Sequence, residues 1–121
     1  LLAVVWDIFG YLILFKHMSE IEENIEKCRQ AVMENPEDVE ALNSLGIAYW
    51  AVERDKDAAE VFTRAVEIDP ELAGAWYNLG CVCKNAGRED RLEEIHLKLE
   101  NLDKKLAKEF FKEVMKGGKK K

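Results

Sequence analysis

A 34-residue self-similarity constrains this chain more than any other feature. Shifted by that interval, the segment ALNSLG (Ala41 to Gly46) falls on AWYNLG (Ala75 to Gly80). The same shift pairs Ala31 with Ala65, Val32 with Val66, Pro36 with Pro70 and Glu37 with Glu71. A period of this length marks a stack of supersecondary units, each too small to bury its own apolar face alone.

Within one period the apolar residues follow helical spacing. Leu42, Leu45, Tyr49 and Val52 recur at three and four residues, as do Ala58, Val61, Phe62, Ala65 and Val66. Gly46 and Ala58 carry almost no side chain, so two helix axes can approach there while Phe62 fills the space beside them. Pro36 and Pro70 each end a helical pair, because proline lacks the N–H that a continuing helix needs. The spacing predicts helices over 4–16, 20–34, 39–52, 55–68, 73–86, 89–101 and 103–116. Ser19 and Glu22 read as a capping box that starts a helix at Ser19. Leu92, Ile95, Leu99, Leu102 and Leu106 continue one apolar stripe with no proline between them, so the last two segments are open to being one long helix.

These residues resemble the tetratricopeptide repeat (TPR) in pattern as well as in period. Leu42, Leu45, Gly46, Tyr49, Ala58, Phe62, Ala65 and Pro70 occupy every signature position of residues 39–72. The next repeat keeps Trp76, Leu79 and Gly80 and then drifts, with Cys83, Leu92, His96 and Leu99 in the later positions, as a terminal repeat does. Upstream, Ile21, Asn24, Cys28, Ala31 and Pro36 match the second helix of a preceding repeat. The resemblance covers roughly residues 19–100. It implies an all-α superhelix of helical hairpins, about two to three repeats, closed by a C-terminal capping helix. The expected organisation is an apolar N-terminal helix over 1–17, a TPR domain over 18–116 and a basic tail over 117–121.

Composition agrees and excludes several classes of function. The 121 residues are 48% hydrophobic and 35% charged, far from the balance of a disordered chain. A net charge of −6 argues against nucleic acid as partner. Three cysteines, Cys28, Cys81 and Cys83, form no disulfide framework and suit a reducing, cytoplasmic setting. Cys81 and Cys83 lie two residues apart on a helix and diverge by about 200°, so they cannot share a metal. His17 and His96 have no nucleophile at readable spacing, and neither a phosphate loop nor a dinucleotide fingerprint occurs. No catalytic residue, cofactor or metal is expected.

In the TPR family the first helix of each repeat lines a concave groove that holds a peptide. By resemblance the groove residues here are Asn43, Ile47, Trp50, Tyr77, Asn78, Cys81 and Lys84, flanked by Ser44, Ala51 and Asn85. The carboxylate clamp of the chaperone-binding members is absent, since Asn43 and Ile47 stand at its first two positions. An apolar floor of Ile47, Trp50, Tyr77 and Cys81 suits a hydrophobic or amphipathic helix. Packing of Trp50 and Tyr77 between neighbouring hairpins is the plainer alternative.

The first fifteen residues, LLAVVWDIFGYLILF, hold a single charge, Asp7. They are short of the roughly twenty residues of a membrane span and lack the flanks of a secretory signal. Three readings stand. In the first they are the first helix of another repeat, with Ile8, Tyr11, Leu12 and Phe15 in register, although Leu12 occupies a position that is usually small. In the second they are the stub of a membrane anchor edged by Lys16 and His17, the only route by which a membrane enters. In the third they are a fused ligand or a cloning-derived segment ahead of a gene start at Met18, since the chain begins at Leu. Two functions follow: a non-catalytic module binding a hydrophobic or amphipathic helix in the manner of a chaperone, or an assembly scaffold that self-associates or anchors through the apolar segment.

Overall fold

The structure, a computed structural model, describes residues 2–116 apart from the side chains of Leu2, Ala3 and Trp6; the basic tail over 117–121 lies outside the described residues. Six α-helices follow one another: α1 Leu2–Glu34, α2 Val39–Ala51, α3 Asp55–Ile68, α4 Ala73–Asn85, α5 Leu92–Leu102 and α6 Lys104–Phe110. A 3-10 turn over Glu89–Arg91 precedes α5, and a π-helical turn over Phe111–Met115 extends α6. Neighbours in sequence are neighbours in space, which is the topology of a hairpin array.

The central hairpin is built as its signature requires. Asp38 starts α2, its Oδ1 accepting from the N–H groups of Glu40 (3.0 Å) and Ala41 (3.2 Å). Leu42, Leu45 and Tyr49 of α2 are buried against Ala58, Phe62 and Ala65 of α3. The two helices touch most closely at Gly46, where an added Cβ would lie 2.6 Å from the Phe62 ring. Glu53 turns the chain between them at φ 61°, a left-handed conformation that usually favours glycine. Gly87, 34 residues on, makes the corresponding turn at φ 78°. In the second repeat the Trp76 indole N–H donates to the Pro70 carbonyl at 2.8 Å, fixing α4 on the loop that leads into it.

Both ends depart from the helix boundaries expected above. The separate helices over 4–16 and 20–34 are one helix, α1, and Ser19 lies in its middle instead of capping a start. No glycine or proline stands between Lys16 and Glu20, so each further residue adds a backbone hydrogen bond and the helix propagates past its own start signal. At the other end, α5 and α6 are two helices, as the boundaries 89–101 and 103–116 have it, and the alternative of one long helix is not adopted. Asp103 takes φ −157°, ψ 99° and caps α6, its Oδ1 accepting from the Leu106 N–H at 3.1 Å. An aspartate that bonds the backbone ahead of it breaks a helix as proline would. Residues 89–91, expected within the α5 helix, form the 3-10 turn instead.

The break at Asp103 lets α6 return along α4 in the place of a third first-helix. Ala107, Phe110 and Val114, each 34 residues after Ala73, Trp76 and Gly80, are the buried residues of this segment. Phe110 is fully buried, and a Cβ on Gly80 would collide with its ring. Phe62 fills the equivalent space beside Gly46; one repeat later that position is His96, half-buried and stacked on Phe110 at 6.4 Å. The capping helix therefore supplies the ring that the drifted repeat has lost.

Candidate functional site

The residues expected to line the groove lie on α2 and α4, the first helices of the two repeats. Ile47 is 46% exposed, halfway along α2, with Asn43 and Trp50 partly buried to either side. Asn43 and Asn78 bridge the helices, the Asn78 amide donating to the Asn43 Oδ1 at 3.4 Å. Their side chains are spent on joining one repeat to the next.

Tyr77, Cys81 and Lys84 of α4 sit on the same side, where the capping segment passes. Tyr77 meets Phe110 edge-on with ring centroids 5.5 Å apart. Burial, and then the neighbouring Cys81, Glu109 and Glu113, push its hydroxyl pKa above the usual phenol value. The Lys84 ammonium donates to the Val114 carbonyl at the end of the π-helical turn. A cation there complements the negative end of the helix dipole. The structure thus gives Lys84 a capping partner within the chain, and Ile47 and Trp50 mark the part of the floor away from α6.

The chemistry of the remaining candidates is that of packing. Burial pushes the Cys81 thiol up to about 11, and Cys83, fully enclosed, is raised for the same reason despite Arg91 and Arg88 nearby. A nucleophilic cysteine needs the opposite shift, toward the thiolate. His96 Nε2 lies 3.6 Å from a Glu100 carboxylate and its ring is held between Phe110 and Phe111. Among the described residues no three His, Cys, Asp or Glu side chains gather as a metal site would need.

A second surface lies on α1, the helix that the sequence reads as the second helix of a preceding repeat. In the complete hairpin, Ala58, Phe62 and Ala65 of α3 are covered by α2. Their counterparts on α1 are Asn24, Cys28 and Ala31, and they are exposed, half-buried and exposed. Ile25 and Val32 of α1 are buried against the array, so this helix is packed on one side and bare on the side where a first helix would lie. Residues 4 to 18, which would supply that helix, run straight on from it with every described side chain exposed. Among the described residues no helix is long and apolar enough to cross a membrane.

Two family profiles, both described as tetratricopeptide repeat, match residues 39–72 and 61–94. The peroxisomal targeting signal receptor of Candida albicans is 30% identical over 78 residues, 64% of this chain and 13% of that protein. Protein FlbA of Caulobacter vibrioides is 40% identical over 52 residues, 43% of this chain and 9% of that protein. The chain spans only a small part of the length of these relatives. The crystal structure of MamA shares its fold, with a TM-score of 0.66 at 20% identity over 88% of this chain and 73% of that one. The hairpins, their 34-residue register and these matches agree: the chain belongs to the tetratricopeptide-repeat family.

Proposed function

We propose that this chain is a non-catalytic protein–protein docking module whose concave face receives a hydrophobic or amphipathic helix from another protein, in the manner of a client-holding chaperone. The observation that carries the reading is Ile47, an isoleucine 46% exposed on α2, the first helix of the central repeat, near the half-buried Trp50. A β-branched apolar residue and an indole edge on a concave floor offer a helix the one-turn anchor spacing that such grooves use. The raised cysteine pKa values and the family's usual role as an interaction scaffold support the non-catalytic part. The peroxisomal targeting signal receptor among the relatives supports a polypeptide as the ligand. Three free thiols suit a reducing compartment such as the cytoplasm.

The test uses the full chain and a fluorescent amphipathic helical peptide of unrelated sequence carried on a soluble fusion. Fluorescence anisotropy should show saturable binding, weakened tenfold or more by Trp50→Ala and by Ile47→Asp, with the circular dichroism of both variants unchanged. Aromatic anchors commonly dominate such contacts. Binding that ignores both substitutions, or no binding at all, would sink the concave-face reading.

A further inference from the structure

The geometry points to a second copy of this chain as the occupant of the bare face of α1. In this arrangement two α1 helices pair antiparallel, and residues 4–17 of each copy take the place of the missing first helix against residues 21–34 of the other. The inference concerns a different surface from the concave floor and stands whether or not that floor binds a helix.

The register comes from the molecule's own hairpin. Gly46 of α2 meets Phe62 of α3, and moving both positions back by 34 residues brings Leu12 opposite Cys28. In the central hairpin a residue without a side chain faces a large ring. In the upstream pair a medium side chain faces a thiol, so the bulk has moved across the interface while the pair stays matched. Leu12, anomalous against the repeat signature on its own, is accounted for by the cysteine opposite it. The same register brings Ile8 to the level of Ala31 and Phe15 to the level of Asn24, both exposed on the bare side of α1. A notch of about 230 Å³ lined by Met18, Ile21, Glu22, Ile25, Val52 and Arg54 lies open beside this last position.

The choice between a neighbour and the chain itself rests on the turn. Each hairpin turn here places a residue at positive φ, Glu53 at 61° and Gly87 at 78°. The equivalent residue one repeat upstream is Ser19, which is helical within a 33-residue helix. Folding residues 4–17 back onto their own α1 requires breaking that helix, and pairing with a second copy leaves it whole. This is a swapped element exchanged about a two-fold axis, in which residue i meets j and j meets i. Charge agrees, since the pairing brings Lys16 and His17 of each copy alongside the acidic stretch Glu20, Glu22 and Glu23 of the other.

The area is sufficient. Tyr11 and Phe15 are 73% and 68% exposed. An aromatic side chain buries roughly 150–250 Å², so the four rings of a two-fold pair supply about 400–700 Å². Ile8, Leu12 and the α1 surface they cover bring the total toward the roughly 1,200–2,000 Å² of a stable interface.

Light scattering of the full chain should give twice the chain mass, and Leu12→Asp should halve it with the helical signal of α2–α5 retained. A Leu12→Cys variant carrying Cys81→Ala and Cys83→Ala, treated with a short bis-maleimide, should cross-link through Cys28 into a covalent dimer. Leu14→Cys in the same background, about 160° around the helix from Leu12, should cross-link at least tenfold less. A monomeric chain overturns the inference, as does a cross-link within one chain, which would show the hairpin closing in cis. A dimer that Leu12→Asp leaves intact overturns it as well, because the contact would then lie elsewhere.

Discussion

The close approach of α2 to α3 at Gly46 makes a sharp test of how the central hairpin is held together. A Cβ added at Gly46 would lie 2.6, 2.7 and 2.9 Å from three carbons of the Phe62 ring. Carbon atoms at rest stand about 3.5–4.0 Å apart, so α2 and α3 must separate by about 1 Å or the ring must leave its rotamer. Phe62 is fully buried and has nowhere to go. Against this, replacing a glycine inside a helix recovers about 1 kcal/mol of backbone entropy. Gly46→Ala therefore sets roughly 1–3 kcal/mol of overpacking against that gain and comes out neutral to mildly destabilising. Gly46→Leu adds three more carbons to the same closed space and should lose about 1–3 kcal/mol net or more. For a domain of this size that lowers Tm by about 5–15 °C, read from the helical circular-dichroism signal. The double variant Gly46→Leu, Phe62→Cys copies the Leu12 and Cys28 pair, and should recover at least ~1 kcal/mol relative to the sum of the single changes. An unchanged Tm in Gly46→Leu, or strict additivity in the double variant, would refute the close-contact account.

Gly74 provides the opposite sign, because a Cβ there meets nothing within 4 Å; Gly74→Ala should raise the urea midpoint by an amount equivalent to about 0.5–1 kcal/mol. Phe110→Ala removes a fully buried ring from the joint between α6 and α4 and should cost about 3–5 kcal/mol, with faster proteolysis of residues after 103 as a second readout. Cys81 has a folded pKa of about 11 against an ordinary 9.0, so the native state holds that proton more tightly. Its contribution is complete below pH 9 and is lost as pH rises toward 11, so Cys81→Ala should flatten the fall in Tm over that interval. An equally steep fall in the variant would place the alkaline transition on other groups.

The central hairpin was legible in the sequence because each of its residues answers one packing demand: Leu42, Leu45, Gly46 and Tyr49 on one helix, Ala58, Phe62 and Ala65 on the next, Pro70 at the exit. The continuity of α1 was not, because Ser19 and Glu22 signal a start only where the preceding residues refuse to be helical, and Lys16, His17 and Met18 do not refuse. The break at Asp103 was legible as a boundary between 101 and 103, although one long helix stayed open as an alternative. The apolar stripe from Leu92 to Leu106 argued for one helix, whereas burial of Ala107, Phe110 and Val114 against α4 needs a turn. The signal for that turn was present as an aspartate three residues before Leu106 and as Phe110 standing 34 residues after Trp76. Among the groove residues, the Asn43–Asn78 bridge and the Tyr77–Phe110 contact depend on side chains from separate repeats, and the Lys84 bond depends on a carbonyl that only the π-helical turn presents. A repeat signature describes one unit and is silent on such pairs.

The two ends of the array solve the same physical problem in opposite ways. A stack of hairpins leaves an uncovered face at each terminus, and that face must be made polar or be covered. Toward the C-terminal end the chain turns at Asp103 and lays Phe110 over Gly80, with Lys84 holding the Val114 carbonyl, and the cover comes from within. At the N-terminal end Asn24 and Ala31 are exposed on α1, and the apolar residues that match that face in register extend away from it along the same helix. The pairing proposed above would cover that face from a second molecule. The concave floor around Ile47 offers a partner one exposed isoleucine beside an indole, whereas the α1 face offers a full helical register with its complement encoded a few residues away.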